Sequence, residues 1–157
     1  AEIVKTLTAG VIDQTPTETY ITGVMLFADM RQGTIEYYNL GHTPVFLFAN
    51  GQDGKKLKML NPNLMPLGIG PLDELESNVK TIALSEGMRF FMYSDGLTEA
   101  RDKFGNMYGE EELKKFLIST HKHTLSEFID DLDSEIMRFT KDVVLPDDIT
   151  VLAVEYR

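Results

Sequence analysis

The connections between the apolar, β-rich runs in the first half of this chain are very short. Two parallel strands need a crossover of about a dozen residues or more, whereas antiparallel neighbours need only a turn. Arg31-Gln32-Gly33 is the turn between the runs Tyr20–Asp29 and Thr34–Leu40, and Asn50–Gly54 separates Val45–Ala49 from Lys55–Leu60. The runs are rich in β-branched and aromatic residues, and the breaks are rich in Gly, Asn and Asp. Hairpins are the expected outcome, with Gly23 marking a bulge or a close approach. Val79–Leu84 reads as an outer strand and Met88–Tyr93 as a strand with an apolar body, while Asn61–Pro71, with three prolines and two glycines, reads as a loop.

Helical periodicity appears at the two ends. Ile3, Leu7 and Val11 recur every four residues with Val4 beside them, which predicts an opening helix ending near Gly10–Asp13. Thr15-Pro16-Thr17 reads as a loop. Later, Glu110–Glu112 place acids at a helix start, ahead of Leu113, Phe116 and Leu117. Thr124-Leu125-Ser126-Glu127 has the spacing of a capping box, and Leu125, Phe128, Ile129, Leu132, Ile136 and Phe139 trace one face beyond it. The acids Asp130, Asp131, Asp133 and Glu135 read as a solvated face. Ile149–Tyr156 closes the chain as a strand. Strands on short turns followed by a helix pair give an α+β fold with a largely antiparallel sheet. No internal repeat or linker divides residues 1–157, which read as one domain. The chain begins in helical rhythm, as a piece of something longer does.

Composition narrows the chemistry. The formal net charge is −10, which argues against nucleic-acid partners and anionic lipid. No apolar stretch approaches the length of a membrane span. There is no cysteine, so disulfides, zinc–thiolate sites and thiol nucleophiles are excluded. That absence suits a reducing compartment, and the expected location is the cytoplasm.

Two aspartates sit where strand ends would bring them together. Asp95 follows the strand Met88–Tyr93, in Tyr93-Ser94-Asp95-Gly96, and Asp147 precedes Ile149–Tyr156, in Pro146-Asp147-Asp148. If those strands are antiparallel neighbours, both carboxylates reach one rim of the sheet. Converging carboxylates repel unless a proton or cation intervenes, and hard oxygen ligands suit Mg²⁺ or Mn²⁺. Each aspartate is equally what an ordinary turn uses, so the pattern alone leaves both readings open. His42, between glycine and a threonine-proline step, reads as a hydrogen-bonded loop residue; His121 and His123 read as surface residues of a helix connection. No phosphate-binding glycine loop and no persuasive Ser–His–Asp order is present.

The succession of blocks resembles the SpoIIE/RsbU-type bacterial serine/threonine phosphatase domains, a branch of the metal-dependent PPM phosphatases. The blocks are Tyr20-Ile21-Thr22-Gly23, then Gly33 to Pro44, Pro66-Leu67-Gly68-Ile69, Gly87 to Ala100, Asn106-Met107-Tyr108-Gly109 and Pro146-Asp147-Asp148-Ile149-Thr150. The resemblance implies a sandwich of two antiparallel β-sheets flanked by helices. It also implies a pair of Mn²⁺ or Mg²⁺ ions whose bridging water attacks phosphoserine or phosphothreonine. Asp95 and Asp147 match the family's metal-ligating, catalytic aspartates; Asp148 would fix the loop, and His42 matches a structural position. The family's earlier strand aspartate and its Asp-x-x-Gly-His-Gly block have no counterpart, so the domain reads as N-terminally truncated. On that reading the parent protein is the enzyme and this chain alone has an incomplete metal site and little or no activity. The alternative is a degenerate, non-catalytic phosphatase-like regulatory module. Implied partners are a phosphorylated STAS-type anti-sigma-factor antagonist, within a partner-switching stress response, and an upstream sensor or receiver domain; a homodimer is also allowed.

Overall fold

A computed structural model describes residues 2–14, 19–51, 54–69, 78–141 and 143–157. The chain contains two compact units, Ala1–Pro44 with Leu60–Glu86, and Val45–Met59 with Gly87–Arg157.

The first unit holds helix α1 (Glu2–Gln14) and strands β1 (Gly23–Asp29), β2 (Thr34–Leu40) and β5 (Lys80–Ala83). They form a three-stranded antiparallel sheet in the order β1-β2-β5, with Gly23 opposite Leu40 and Thr34 opposite Ala83. The hairpin read at Arg31–Gly33 is present. Asp29 accepts from the backbone N–H groups of Arg31 and Gln32, and Gly33 takes a φ of 65° that glycine adopts without strain. Gly23 opens β1 instead of bulging it, and Ile21 forms an isolated antiparallel bridge with Leu67. The central strand β2 is covered on both faces, burying Ile35, Tyr37, Tyr38 and Leu40.

Helix α1 forms as expected, but a different stripe faces inward. Val4 and Thr8 are buried and Val11 packs on the same cluster, whereas Ile3 and Leu7 are exposed. Positions 4, 8 and 11 follow the helical repeat as well as 3, 7 and 11 do. Thr8 is acceptable inside because its hydroxyl donates to the Val4 carbonyl at 2.8 Å, leaving its methyl to pack.

Beside this sheet the segment Gly41–Pro44 is braced by asparagines. Asn39 donates through Nδ2 to the Thr43 carbonyl and accepts from the His42 N–H, while its backbone engages Asn63 and Leu64. His42 also pairs through Nδ1 with the Thr22 hydroxyl at 3.3 Å, which accounts for it as a loop residue.

The second unit holds β3 (Val45–Gly51), β4 (Gly54–Leu60, whose last residue belongs to the first unit), β6 (Arg89–Tyr93) and β7 (Val151–Glu155). It also holds helices α2 (Asp95–Glu99), α3 (Gly109–Thr120) and α4 (Leu125–Thr140). The four strands lie in the order β4-β3-β6-β7. Phe46, Phe48, Phe91 and Tyr93 present one face of this sheet to Leu113 and Leu117 of α3 and to Phe128, Leu132 and Ile136 of α4. Each such buried side chain contributes about 1.5–3 kcal/mol. The capping box is realised in both directions: the Thr124 N–H donates to Glu127 Oε2 at 2.8 Å, and the Glu127 N–H donates to Thr124 Oγ1 at 3.3 Å.

In the second unit two details depart from the sequence reading. Ile129 is 40% exposed, leaving Phe128, Leu132, Ile136 and Thr140 as the inner stripe of α4. After β6 comes the five-residue helix α2, which the sequence reading did not assign and which is too short for periodicity to reveal. The loop read at Thr15-Pro16-Thr17, and parts of the breaks read at 50–54 and 61–71, lie outside the described residues.

Candidate functional site

The β6–β7 pairing decides where the two aspartates fall. The strands are antiparallel neighbours, with Arg89 opposite Glu155 and Tyr93 opposite Val151. The end of β6 therefore lies beside the start of β7, and the loops carrying Asp95 and Asp147 leave the same end of the ladder.

A serine that the sequence reading passed over ties these loops together. The Ser94 N–H donates to the Thr150 carbonyl at 2.9 Å. Its hydroxyl donates to the Asp148 carbonyl at 3.1 Å and accepts from the Thr150 N–H at 2.9 Å. Ser94 is the N-cap of α2 by position, but its side chain makes no capping bond because it is spent across the loop. Gly96 completes the approach. A Cβ there would lie 2.5 Å from the Asp148 carbonyl oxygen, a backbone atom that cannot move aside alone. Only glycine lets the two loops meet this closely. The signal in the sequence was the Ser-Asp-Gly step itself, but its partner lies 54 residues away.

Asp95 and Asp147 are both exposed, and each orients its carboxylate in the same local way. Asp95 Oδ1 accepts from the Gly96 N–H at 3.1 Å, and Asp147 Oδ1 accepts from the Asp148 N–H at 2.7 Å. Among the described residues, neither carboxylate takes part in an ion pair. Asp95 also opens α2, where the Thr98 hydroxyl donates to its carbonyl at 3.1 Å.

These donors are of the right kind for a hard divalent cation. Their number is not. Among the described residues no group of three or more His, Asp or Glu side chains converges in a way that could hold a metal ion. Mg²⁺ demands near-octahedral oxygen coordination, and the aspartates present fill only part of it. No helix among the described residues is long and apolar enough to cross a membrane.

The family model described as Stage II sporulation protein E (SpoIIE) matches residues 1–157. Protein IcfG of Synechocystis sp. (strain ATCC 27184 / PCC 6803 / Kazusa) is 25% identical over 126 residues, which is 80% of this chain and 19% of that protein. The SiaA-PP2C domain of Pseudomonas aeruginosa superposes with a TM-score of 0.81 at 17% identity, over 100% of this chain and 61% of that one. The phosphatase domain of the cell-fate determinant SpoIIE from Bacillus subtilis, in Mn-presoaked form, gives 0.65 at 20% identity, over 99% of this chain and 66% of that one. This chain thus spans less than two thirds of each of these relatives. At such identities the structural likeness speaks for the fold, two antiparallel sheets with helices on them, as in PP2C-type phosphatase domains. The match along every residue, together with that fold, means that this chain belongs to the Stage II sporulation protein E (SpoIIE) family.

Proposed function

We propose that this chain is the C-terminal portion of a metal-dependent protein serine/threonine phosphatase domain, in which Asp95 and Asp147 serve as metal ligands. The observation that carries the reading is the Ser94–Asp148–Thr150 clasp, which holds both aspartate loops at one end of the β6–β7 ladder. The Mn-presoaked phosphatase domain of SpoIIE and the magnesium complex of RsbX, both similar in fold, support Mn²⁺ or Mg²⁺ as the cation. Such an ion supplies Lewis acidity toward a phosphoryl oxygen and an activated water. This chain's own contribution is to fix two carboxylates in orientation: each spends one oxygen on a neighbouring N–H, and Gly96 leaves room for the loops to close. The missing ligands are assigned to residues outside this sequence.

The proposed substrate is the phosphoserine or phosphothreonine of a regulatory protein, with a STAS-type anti-sigma-factor antagonist as the first candidate. An upstream sensor or receiver domain, a homodimeric state and a cytoplasmic location complete the proposal. The test is hydrolysis of a phosphoserine peptide by the full-length protein in Mn²⁺. Asp95→Asn and Asp147→Asn are each expected to lower turnover by about 100-fold or more, the loss of a few kcal/mol of transition-state stabilisation. Near-wild-type turnover by either variant contradicts the assignment. The isolated chain is expected to be inactive in the same assay.

A further inference from the structure

The last rung of the β6–β7 ladder closes on a side chain. Continuing the register one step past Tyr93 and Val151 sets Ser94 opposite Thr150. In an antiparallel ladder a hydrogen-bonded pair of this kind exchanges two backbone bonds, one in each direction. The Ser94 N–H does donate to the Thr150 carbonyl at 2.9 Å. The return bond, from the Thr150 N–H, goes to the Ser94 hydroxyl at 2.9 Å and not to the Ser94 carbonyl. That carbonyl instead accepts from the Leu97 N–H at 3.1 Å, at the start of α2. The hydroxyl stands in for a peptide group. The ladder is completed by the side chain while the main chain turns into a helix at the next residue, Asp95.

The same hydroxyl reaches toward the second aspartate. It donates to the Asp148 carbonyl at 3.1 Å, and the Asp148 N–H in turn holds Asp147 Oδ1 at 2.7 Å. On its own strand the next residue is Asp95, whose Oδ1 is held by the Gly96 N–H at 3.1 Å. One oxygen therefore sits a short bonded path from each carboxylate. A serine hydroxyl has one hydrogen to give and lone pairs to receive, so it meets both demands at once. Alanine meets neither. Without the hydroxyl, the Thr150 N–H would be drawn back to the carbonyl of residue 94, in competition with the start of α2, and the Asp148 carbonyl would lose its tether.

We propose that Ser94 is a positioning residue of the cation site, its hydroxyl setting the spacing and orientation of Asp95 and Asp147 without itself touching the ion. This inference rests on the reading of those two aspartates as metal ligands. Groups that orient metal ligands from behind change metal affinity by about 10–100-fold when removed.

The probe is Mn²⁺ titrated into the full-length protein, with the free ion read by electron paramagnetic resonance. The binding that disappears in Asp95→Asn/Asp147→Asn is the share held at this rim. Ser94→Ala is expected to weaken that share about tenfold or more. Ser94→Thr, which keeps the hydroxyl, is expected to bind as wild type does. Glu155→Gln, which alters the opposite end of the same ladder, is expected to leave manganese affinity unchanged, separating positioning from a general loosening of the strands. If the double aspartate variant loses no manganese, the ligand reading fails and this inference falls with it. If it does lose manganese, three results overturn this inference alone and leave the ligand reading standing. They are wild-type affinity in Ser94→Ala, a loss in Ser94→Thr as large as in Ser94→Ala, or an equal loss in Glu155→Gln.

Discussion

The β6–β7 ladder is finished differently at its two ends. At one end Arg89 faces Glu155, and the two close a salt bridge at 2.6 Å with side chains only 6% and 12% exposed. Arg89 also donates to the His123 carbonyl at 2.9 Å, fastening the ladder to the α3–α4 connection. At the other end Asp95 and Asp147 stand exposed with no cation beside them among the described residues, although Ser94 and Gly96 bring their loops together. The buried charge is paired and the exposed acids are left open. Physically this is the expected division, because an unpaired buried charge is ruinous whereas exposed ones are not. Two like charges even 4 Å apart in water repel by only about 1 kcal/mol. The open end therefore tolerates its unpaired acids, and the closed end would be strongly destabilised by loss of either partner. Local architecture pairs its charges at one end and leaves two carboxylates exposed at the other.

That contrast orders the expected effects of mutation. Glu155→Ala, which leaves the Arg89 guanidinium buried with, among the described residues, the His123 carbonyl as its remaining acceptor, is expected to cost about 3–5 kcal/mol in urea unfolding. A cost under about 1 kcal/mol would mean that the pair contributes little. The same end should make the chain acid-sensitive. Hydrogen bonds from Arg89 and then Arg157 hold the Glu155 carboxyl below its ordinary value near 4.5. A lowered folded-state pKa means that the stabilisation is whole above the unfolded value and is lost as pH falls through the folded one. Unfolding free energy followed downward from pH 5 should fall more steeply in wild type than in Glu155→Gln.

Smaller effects belong to the other end. Gly96→Ala is expected to cost about 1–3 kcal/mol, since its Cβ collides with the Asp148 carbonyl and the loops must part. Ser94→Ala removes a two-way hydrogen bond on the partly exposed clasp and should cost about 0.5–1.5 kcal/mol. The double variant Asp95→Asn/Asp147→Asn should leave stability within about 0.5 kcal/mol of wild type, as surface changes do. A larger loss from the double variant would place these residues in the fold's own support.

Much of this arrangement was legible from residues alone, and the parts that were not share a cause. The antiparallel pairing followed from connections too short for crossovers, and the shared rim followed from where Asp95 and Asp147 stand relative to their strands. The clasp was not legible because Ser94 acts on a carbonyl 54 residues away, a relation that no local spacing encodes. Thr8 escaped notice in α1 because a threonine whose hydroxyl bonds back to its own helix behaves as an apolar residue, which a polarity pattern misreads. Helix α2 spans five residues, little more than one turn, and contains a glycine. The Arg89–Glu155 pair was similarly invisible: two charged residues in apolar strands betray nothing until the register sets them opposite each other.

Manganese titration of the isotope-labelled chain, read from paramagnetic broadening of its amide resonances, tests most directly whether the open end is built to hold a cation. Broadening is expected to centre on residues 94–97 and 147–150 and to be abolished in Asp95→Asn/Asp147→Asn with the rest of the spectrum unchanged. Broadening centred instead on the acidic side of α4, or persisting at the β6–β7 end in the double variant, would contradict that claim.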